Sequence, residues 1–371
     1  MTDLSFPKEK TKTLHLFMSF DKAYCIGAGV TLYSLFSHAS RTYKNLTLNY
    51  HVHCFTKDIT QDDKLLLQES ILPFEDFVVL SFTPHTILDN QILEYLPEVC
   101  AKRYGILVLC KLFLASIYQE VDKIIAIDVD MHFYGDISSA FFIDIQDYYF
   151  AMVKDITSLW SKQQFNANIA TRAKLNNIDI SRLSELDMEH NHQGYNGGFF
   201  IANLELWRKN NLQEQAISYL KSHGKSLFYA EQTLINILFY EHILELPLKY
   251  NLCIDFLQNK KPKDRLRIFK DCIILHFNTG TKPFLARLEN NDIPSEYLNN
   301  YLKTILATPF RFQFFENYLK YSNKPISYDS QSIKMLHTHL TNEMSKDPYF
   351  LENYISLKNL KLKRFLKLTS P

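Results

Sequence analysis

The stretch "DKIIAIDVDMHFYGDI", residues 122–137, decides the reading of this chain. An apolar run ends in two carboxylates, Asp128 and Asp130, with one valine between them. Residues two apart in an extended segment share a face, so both carboxylates can converge on one point. Converging anions need a positive charge there. Hard oxygen donors suit Mg²⁺ or Mn²⁺, ions that commonly bridge protein carboxylates to substrate phosphates. Strand ends and turns also produce D-x-D by themselves, so the pair needs support from elsewhere. His132, just beyond, reads as a solvated side chain after a turn.

Around this stretch the pattern alternates. Strands are predicted over 13–20, 46–55, 74–82 and 123–128, and helices over 28–39, 60–71 (with Thr60 as N-cap) and 103–119. Such alternation predicts an α/β fold with a mostly parallel sheet, and in these sheets ligands bind beyond the carboxyl ends of the strands. Asp128 and Asp130 sit at such an end. Residues 157–193 are polar and mixed and read as an excursion or a mobile loop. Beyond them come a strand and the start of a helix in "GYNGGFFIANLELWRKN" (194–210), a helix over 230–240 and a strand over 270–277. After about residue 286 the alternation gives way to helical, aromatic and basic segments, a separate appendage.

Composition narrows the function classes. The chain has 371 residues, 46% hydrophobic and 22% charged, with a net charge of +1. It can build a sizeable core, and it lacks the basic excess expected of a nucleic-acid binder. Only 9 glycines occur, against about 26 for an average chain of this length, so each marks a position where the backbone needs one. The six cysteines form no CxxC and match no zinc or disulfide spacing, which predicts reduced thiols and a cytoplasmic setting. The start, "MTDLSFPKEKTKT", is too polar for a signal peptide, and no apolar run approaches the length of a membrane span.

Three further segments can carry chemistry. "LHFNTGTKPF" (275–284) places His276 at a strand end, followed by Gly280 and Lys282; imidazole can complete a carboxylate-rich metal site, and the glycine and lysine suit a phosphate. A strand end with a Gly-containing turn gives the same letters. "YNGGFF" offers the Asn196 amide to a sugar hydroxyl, with Gly197 and Gly198 allowing close approach or simply a bulge. "AEQ" puts Glu231 and Gln232 early in a helix, where an acid also favours the dipole.

Taken together and in order, these segments resemble the retaining glycosyltransferases of family 8, especially the bacterial lipopolysaccharide glucosyl- and galactosyltransferases. "FMSFDKAY", "VDKIIAIDVDMHFYGDIS", "YNGGFFIANLELWR", "EQTLIN" and "LHFNTGTKPF" each resemble a segment of that family, over roughly residues 13–285. The resemblance implies a GT-A type fold with its catalytic domain over 1–285, and the change of pattern beyond it marks a helical C-terminal region over 286–371. It implies that Asp128, Asp130 and His276 hold Mn²⁺ or Mg²⁺ against the diphosphate of a UDP-hexose. Ser19 and Asp21 fall in the nucleotide-binding turn, with Asp21 toward uracil. Lys282 and Gly280 face phosphate, and Lys111 stands where the family usually has an arginine. Asp155, Asn196, Gly197, Glu231 and Gln232 surround the donor hexose, Gln232 beneath the anomeric carbon.

The sequence departs from the family at several places. Ala23 replaces a usual asparagine, Gly280 comes one place late after His276, Phe284 replaces a tryptophan, and Thr233 stands where some members carry a second acid. The implied reaction is transfer of glucose or galactose to a lipopolysaccharide core or related glycan. A neutral glutamine is a poor nucleophile, which favours same-face attack over a covalent intermediate. The tail "SLKNLKLKRFLKLTSP" (356–371) combines basic residues with Leu357, Leu360, Phe365 and Leu368 at helical spacing. It reads either as a membrane-surface element on the inner face or as a packed helix with solvated lysines. Two rival readings stand beside this one. A metal-dependent phosphatase would want a threonine soon after the second aspartate, and "DVDMHF" has none. A non-catalytic sugar-nucleotide-binding protein of the same fold would keep the same motifs.

Overall fold

The computed structural model describes residues 10–258, 260–279, 282–285 and 295–311, with three further positions up to 317. Its residues cluster into two compact units, Met1–Thr279 and Gly280–Pro371.

The first unit is built on an eight-stranded sheet. Its strands are β1 (Lys10–Asp21), β2 (Thr42–Tyr43), β3 (Leu46–Lys57), β4 (Val78–Pro84), β5 (Lys123–Ile127), β7 (Phe150–Lys154), β8 (Tyr195–Asn203) and β9 (Ile243–Leu246). The order is β2-β3-β1-β5-β8-β7-β9, with β4 also on β3. β1, β3, β4 and β5 run parallel, as do β7 and β9, while β8 runs antiparallel to both β5 and β7. The sheet is thus mixed: mostly parallel, as the alternation predicts, but with β8 reversed inside it and the short β2 antiparallel to β3 at one edge. A small second sheet holds β6 (Met131–Phe133), β10 (Leu252–Cys253) and β11 (Ile274–His276), in the order β10-β11-β6. The strand predicted over 270–277 is therefore only three residues long and lies outside the main sheet.

Helices cover the sheet. Cys25–His38 packs on Gln61–Ile71 and on β6. Thr60 caps the second of these in a full capping box with Asp63. On the other face, Phe17, Phe55, Ile124, Ala126, Phe150 and Phe200 form one core with the helix Ala230–Phe239 and its neighbours. That core removes large apolar side chains from water at about 25 cal/mol per Å².

Two predictions fail here. The single helix expected over 103–119 is broken. Gly105 adopts φ +58°, ψ −161°, and the chain continues as the short turns Cys110–Phe113 and Leu114–Ile117. Glycine alone takes that backbone without strain. The expected excursion over 157–193 holds two helices, Lys162–Asn176 and Glu185–His192, each started by a serine capping box, Ser161 with Gln164 and Ser184 with Asp187.

In the second unit the helix Ser295–Ala307 is described, with Tyr297, Tyr301, Leu302 and Ile305 buried along one stripe. The basic segment 356–371 lies outside the described residues. Among the described residues no helix is long and apolar enough to cross a membrane. All six cysteines are free and buried.

Candidate active site

Backbone pairing brings three distant segments to the end of β5. Because β8 runs antiparallel to β5, Ile127 faces Phe199, and one step further the Asp128 N–H donates to Gly198 O at 2.8 Å. Because β11 pairs with β6, His276 faces Met131, and the Phe277 N–H donates to Asp130 O at 2.9 Å. The buried Thr31 hydroxyl, from the helix Cys25–His38, lies 2.8 Å from Met131 O and holds the D-x-D turn from below.

The side chains meet accordingly. His276 Nε2 lies 3.1 Å from Asp130 Oδ1 and 3.8 Å from Asp128 Oδ2. The potential ligand atoms of Asp128, Asp130 and His276 all fall within 4.8 Å of one another. The other oxygen of Asp128 accepts from Lys111 Nζ at 2.7 Å, and Lys111 also donates to Gly197 O at 2.9 Å. Glu231 Oε1 is 3.6 Å from the same ammonium. Lys111 comes from the turn after the Gly105 break and is 2% exposed. Burial pulls its pKa down, but Asp128 and Glu231 more than offset this and hold it above the usual lysine value. Burial pushes Glu231 up to about 7 against the pull of Lys111.

A hydrogen-bond relay fixes His276. The Gly198 N–H can only donate, and it meets Asn196 Oδ1 at 3.0 Å. Asn196 Nδ2 therefore faces Asp155 Oδ2, at 2.9 Å. Asn251 Nδ2 donates to the same Asn196 Oδ1 at 2.9 Å, which leaves Asn251 Oδ1 to accept from His276 Nδ1 at 3.0 Å. With its proton on Nδ1, His276 turns the Nε2 lone pair toward Asp130. A lone pair and a carboxylate oxygen at that distance are two acceptors, and a cation between them, a proton or a metal ion, satisfies both. One imidazole and two carboxylates suit Mn²⁺ or Mg²⁺, so the donor set fits such an ion.

Asp155 directly follows β7, caps the next turn by accepting from Thr157 N through Oδ1 at 3.1 Å, and accepts from Gln232 Nε2 at 3.4 Å. Gln232 Oε1 accepts from Gly197 N at 2.9 Å. Asn196, Gly197, Glu231, Gln232 and Asp155 thus stand together around Asp128, Asp130 and His276. Ala230, just before Glu231, is fully buried with φ +45°, a strained backbone of the kind that clusters at functional sites. Gly198 is required sterically, since a Cβ there would lie 2.3 Å from His276 Cε1.

Asp21 sits half-buried at the end of β1 and accepts from Ala23 N at 3.0 Å, two residues after Ser19. Lys282 belongs to the second unit and is half-buried there. Gly280 lies outside the described residues. His132 corrects the sequence reading, for it is buried rather than solvated. Burial first, and His38 second, hold its pKa down to about 3. Asn251 and Thr31 went unnoticed in the sequence. Each is a polar residue between apolar or aromatic neighbours, Tyr250 and Leu252 for Asn251 and Val30 and Leu32 for Thr31, and that contrast is the signal the sequence offers.

Comparison with known proteins agrees with this arrangement. The profile described as Glycosyl transferase family 8 matches residues 15–287. A lipopolysaccharide 1,2-glucosyltransferase of Escherichia coli is 21% identical over 74% of this chain and 74% of its own length. Among solved structures, the apo bifunctional glycosyltransferase WbbM aligns with a TM-score of 0.61 at 18% identity, over 82% of this chain and 51% of that one. The galactosyltransferase LgtC aligns at 0.56 and 12% identity, over 80% of this chain and 96% of that one. The fold is of the GT-A type, and with the profile spanning nearly the whole first unit, the chain belongs to glycosyltransferase family 8.

Proposed function

We propose that this glycosyltransferase moves glucose or galactose from a UDP-sugar, with retention, to a lipopolysaccharide core or a related glycan, and that it needs Mn²⁺ or Mg²⁺. One observation carries the reading: the relay from Asp155 through Asn196 and Asn251 leaves His276 Nε2 facing Asp130. The similarity to a lipopolysaccharide 1,2-glucosyltransferase of E. coli supports the acceptor class.

Asp128, Asp130 and His276 would hold the ion, which when bound supplies Lewis-acid charge to the departing diphosphate. Lys111 sets its ammonium against Asp128 from behind. Ser19 and Asp21 receive the nucleoside, while Gly280 and Lys282 receive phosphate. Asp155, Asn196, Gly197, Glu231 and Gln232 bind the hexose. The Gln232 amide is tied at both ends, to Gly197 N and Asp155. A neutral, tethered amide orients a sugar better than it attacks one. Attack by the acceptor hydroxyl from the leaving-group face follows, with a diphosphate oxygen taking its proton. In this reading residues 1–285 are the catalytic domain and 286–371 a helical region. Its basic end meets the inner membrane surface from the cytoplasm.

The test is release of UDP from UDP-glucose and UDP-galactose with Mn²⁺, with chelator, and in Asp130→Asn. Release should fall by about 100-fold or more without metal or without the carboxylate. Turnover indifferent to both would overturn the reading, and a trapped sugar adduct on Glu231 would overturn same-face attack.

A further inference from the structure

We propose that His15, His51 and His53 form a second metal site, which takes a borderline transition ion such as Zn²⁺ and is separate from the donor site. It rests on residues that the glycosyl-transfer reading does not use.

The geometry comes from strand register. β1 and β3 pair in parallel with His15 opposite His51 and Phe17 opposite His53. His51 and His53, two apart, share a face with His15. The ring centroids of His51 and His53 are 4.0 Å apart, and those of His15 and His53 are 5.3 Å apart. One nitrogen from each ring falls within 4.8 Å of the others. The cluster sits well away from the D-x-D turn. His15 pairs with Ile124, and Asp128 lies four residues further on, about 13 Å along the strand at roughly 3.3 Å per residue.

The partners set the chemistry. Ser81 Oγ on β4 lies 2.9 Å from His51 Nε2 and 3.3 Å from His53 Nδ1. A hydroxyl oxygen can accept from both. That arrangement leaves His51 Nδ1 and His53 Nε2 as lone pairs. His53 Nε2 is 3.0 Å from His15 Nδ1, and without metal His15 donates its proton there. Moving that proton to Nε2 of His15 frees the third lone pair, so metal binds by a tautomer change in one ring with no net proton release. Burial first, then the neighbouring imidazoles, hold His53 down to about 3, so it is neutral and ready to ligate. Lys12 also acts on His15 and opposes a cation, which weakens the site without closing it.

Three neutral imidazoles select Zn²⁺, Ni²⁺ or Cu²⁺ over the oxygen-seeking Mg²⁺ and Mn²⁺. Nitrogens about 2.0–2.1 Å from Zn²⁺ in tetrahedral geometry lie roughly 3.3 Å from one another. Small ring rotations close the present spacing, and water takes the fourth position. The serine hydroxyl supplies the outer hydrogen bonds that orient such ligands.

The experiment uses the full chain carrying Asp128→Asn and Asp130→Asn, stripped with chelator and titrated with Zn²⁺ by calorimetry in excess Mg²⁺. One equivalent should bind. Adding His15→Gln and His51→Gln, both at half-exposed positions, should remove it with the melting temperature of the metal-free protein unchanged. Co²⁺ added to the protein with all three histidines intact should give visible ligand-field bands of nitrogen coordination, a readout independent of how the histidine variants fold. No bound Zn²⁺ and no Co²⁺ bands would overturn the proposal. So would equal uptake with and without the two imidazoles.

Discussion

The side-chain carbonyl of Asn251 lies 3.0 Å from Nδ1 of His276, and that contact decides which ring nitrogen can meet a metal. Asn251 is itself buried and held by Asn196. Loss of such outer hydrogen bonds typically lowers metal affinity 10- to 100-fold, about 1.4–2.7 kcal/mol. Asn251→Ala should therefore weaken Mn²⁺ binding by about tenfold or more in a direct titration. An affinity within twofold of wild type would remove the relay from the account.

Lys111 is the buried cation of the site. Lys111→Met leaves Asp128 and Glu231 facing each other without it. Breaking a fully buried pair typically costs 3–5 kcal/mol; Asp128 is 35% exposed, so water screens part of this and about 1–3 kcal/mol is expected. Lys111→Arg keeps the charge but must fit a larger planar group, and should lose less. Urea unfolding of both variants, with chelator present, checks the order. Equal stability of wild type and Lys111→Met would contradict it.

Glu231 gives stability a pH dependence. Its folded pKa is raised to about 7 by burial, against the pull of Lys111, and lies above the unfolded value. Between the two values the folded state binds more protons than the unfolded one, so stability falls as pH rises. The loss runs from roughly pH 4.5 to 7, is flat above that, and is on the order of 3 kcal/mol. Glu231→Gln should flatten this part of the profile in metal-free protein. Parallel profiles for the two proteins would argue that Glu231 is not the group responsible.

The two adjacent glycines of "YNGG" should behave differently. A Cβ at Gly198 would lie 2.3 Å from His276 Cε1 and 2.8 Å from its Nδ1, whereas one at Gly197 meets nothing closer than Gln232 Cβ at 3.4 Å. Gly198→Ala should cost about 1–3 kcal/mol by overpacking and displace the histidine. Gly197→Ala should cost under about 1 kcal/mol. Thermal melts rank them, and equal effects would mean the strand shifts to relieve the clash.

Much of this site was legible because it depends on short periods. The D-x-D pair follows from the two-residue repeat of an extended chain, and Thr60 from its position before an amphipathic run. Other features depend on context that spacing does not carry. Nothing in "RYGILVLCK" says that Gly105 takes a positive φ, because glycine inside an apolar helical pattern is tolerated as well as breaking. The helices within 157–193 were hidden by their polar faces, although Ser161-x-x-Gln164 and Ser184-x-x-Asp187 are start signals. The reversal of β8 is a pairing fact that leaves no mark on a strand buried on both faces. Asn251 meets Asn196 and His276 across 55 and 25 residues, and no local pattern encodes such a contact.

The measurement that bears most directly on donor binding is calorimetry of UDP-glucose and UDP-galactose, with and without Mn²⁺, on wild type and Asp130→Ala. The account predicts binding that requires Mn²⁺ and disappears in the variant, with one sugar preferred. Binding of either sugar that is equally strong without metal and in Asp130→Ala would contradict it.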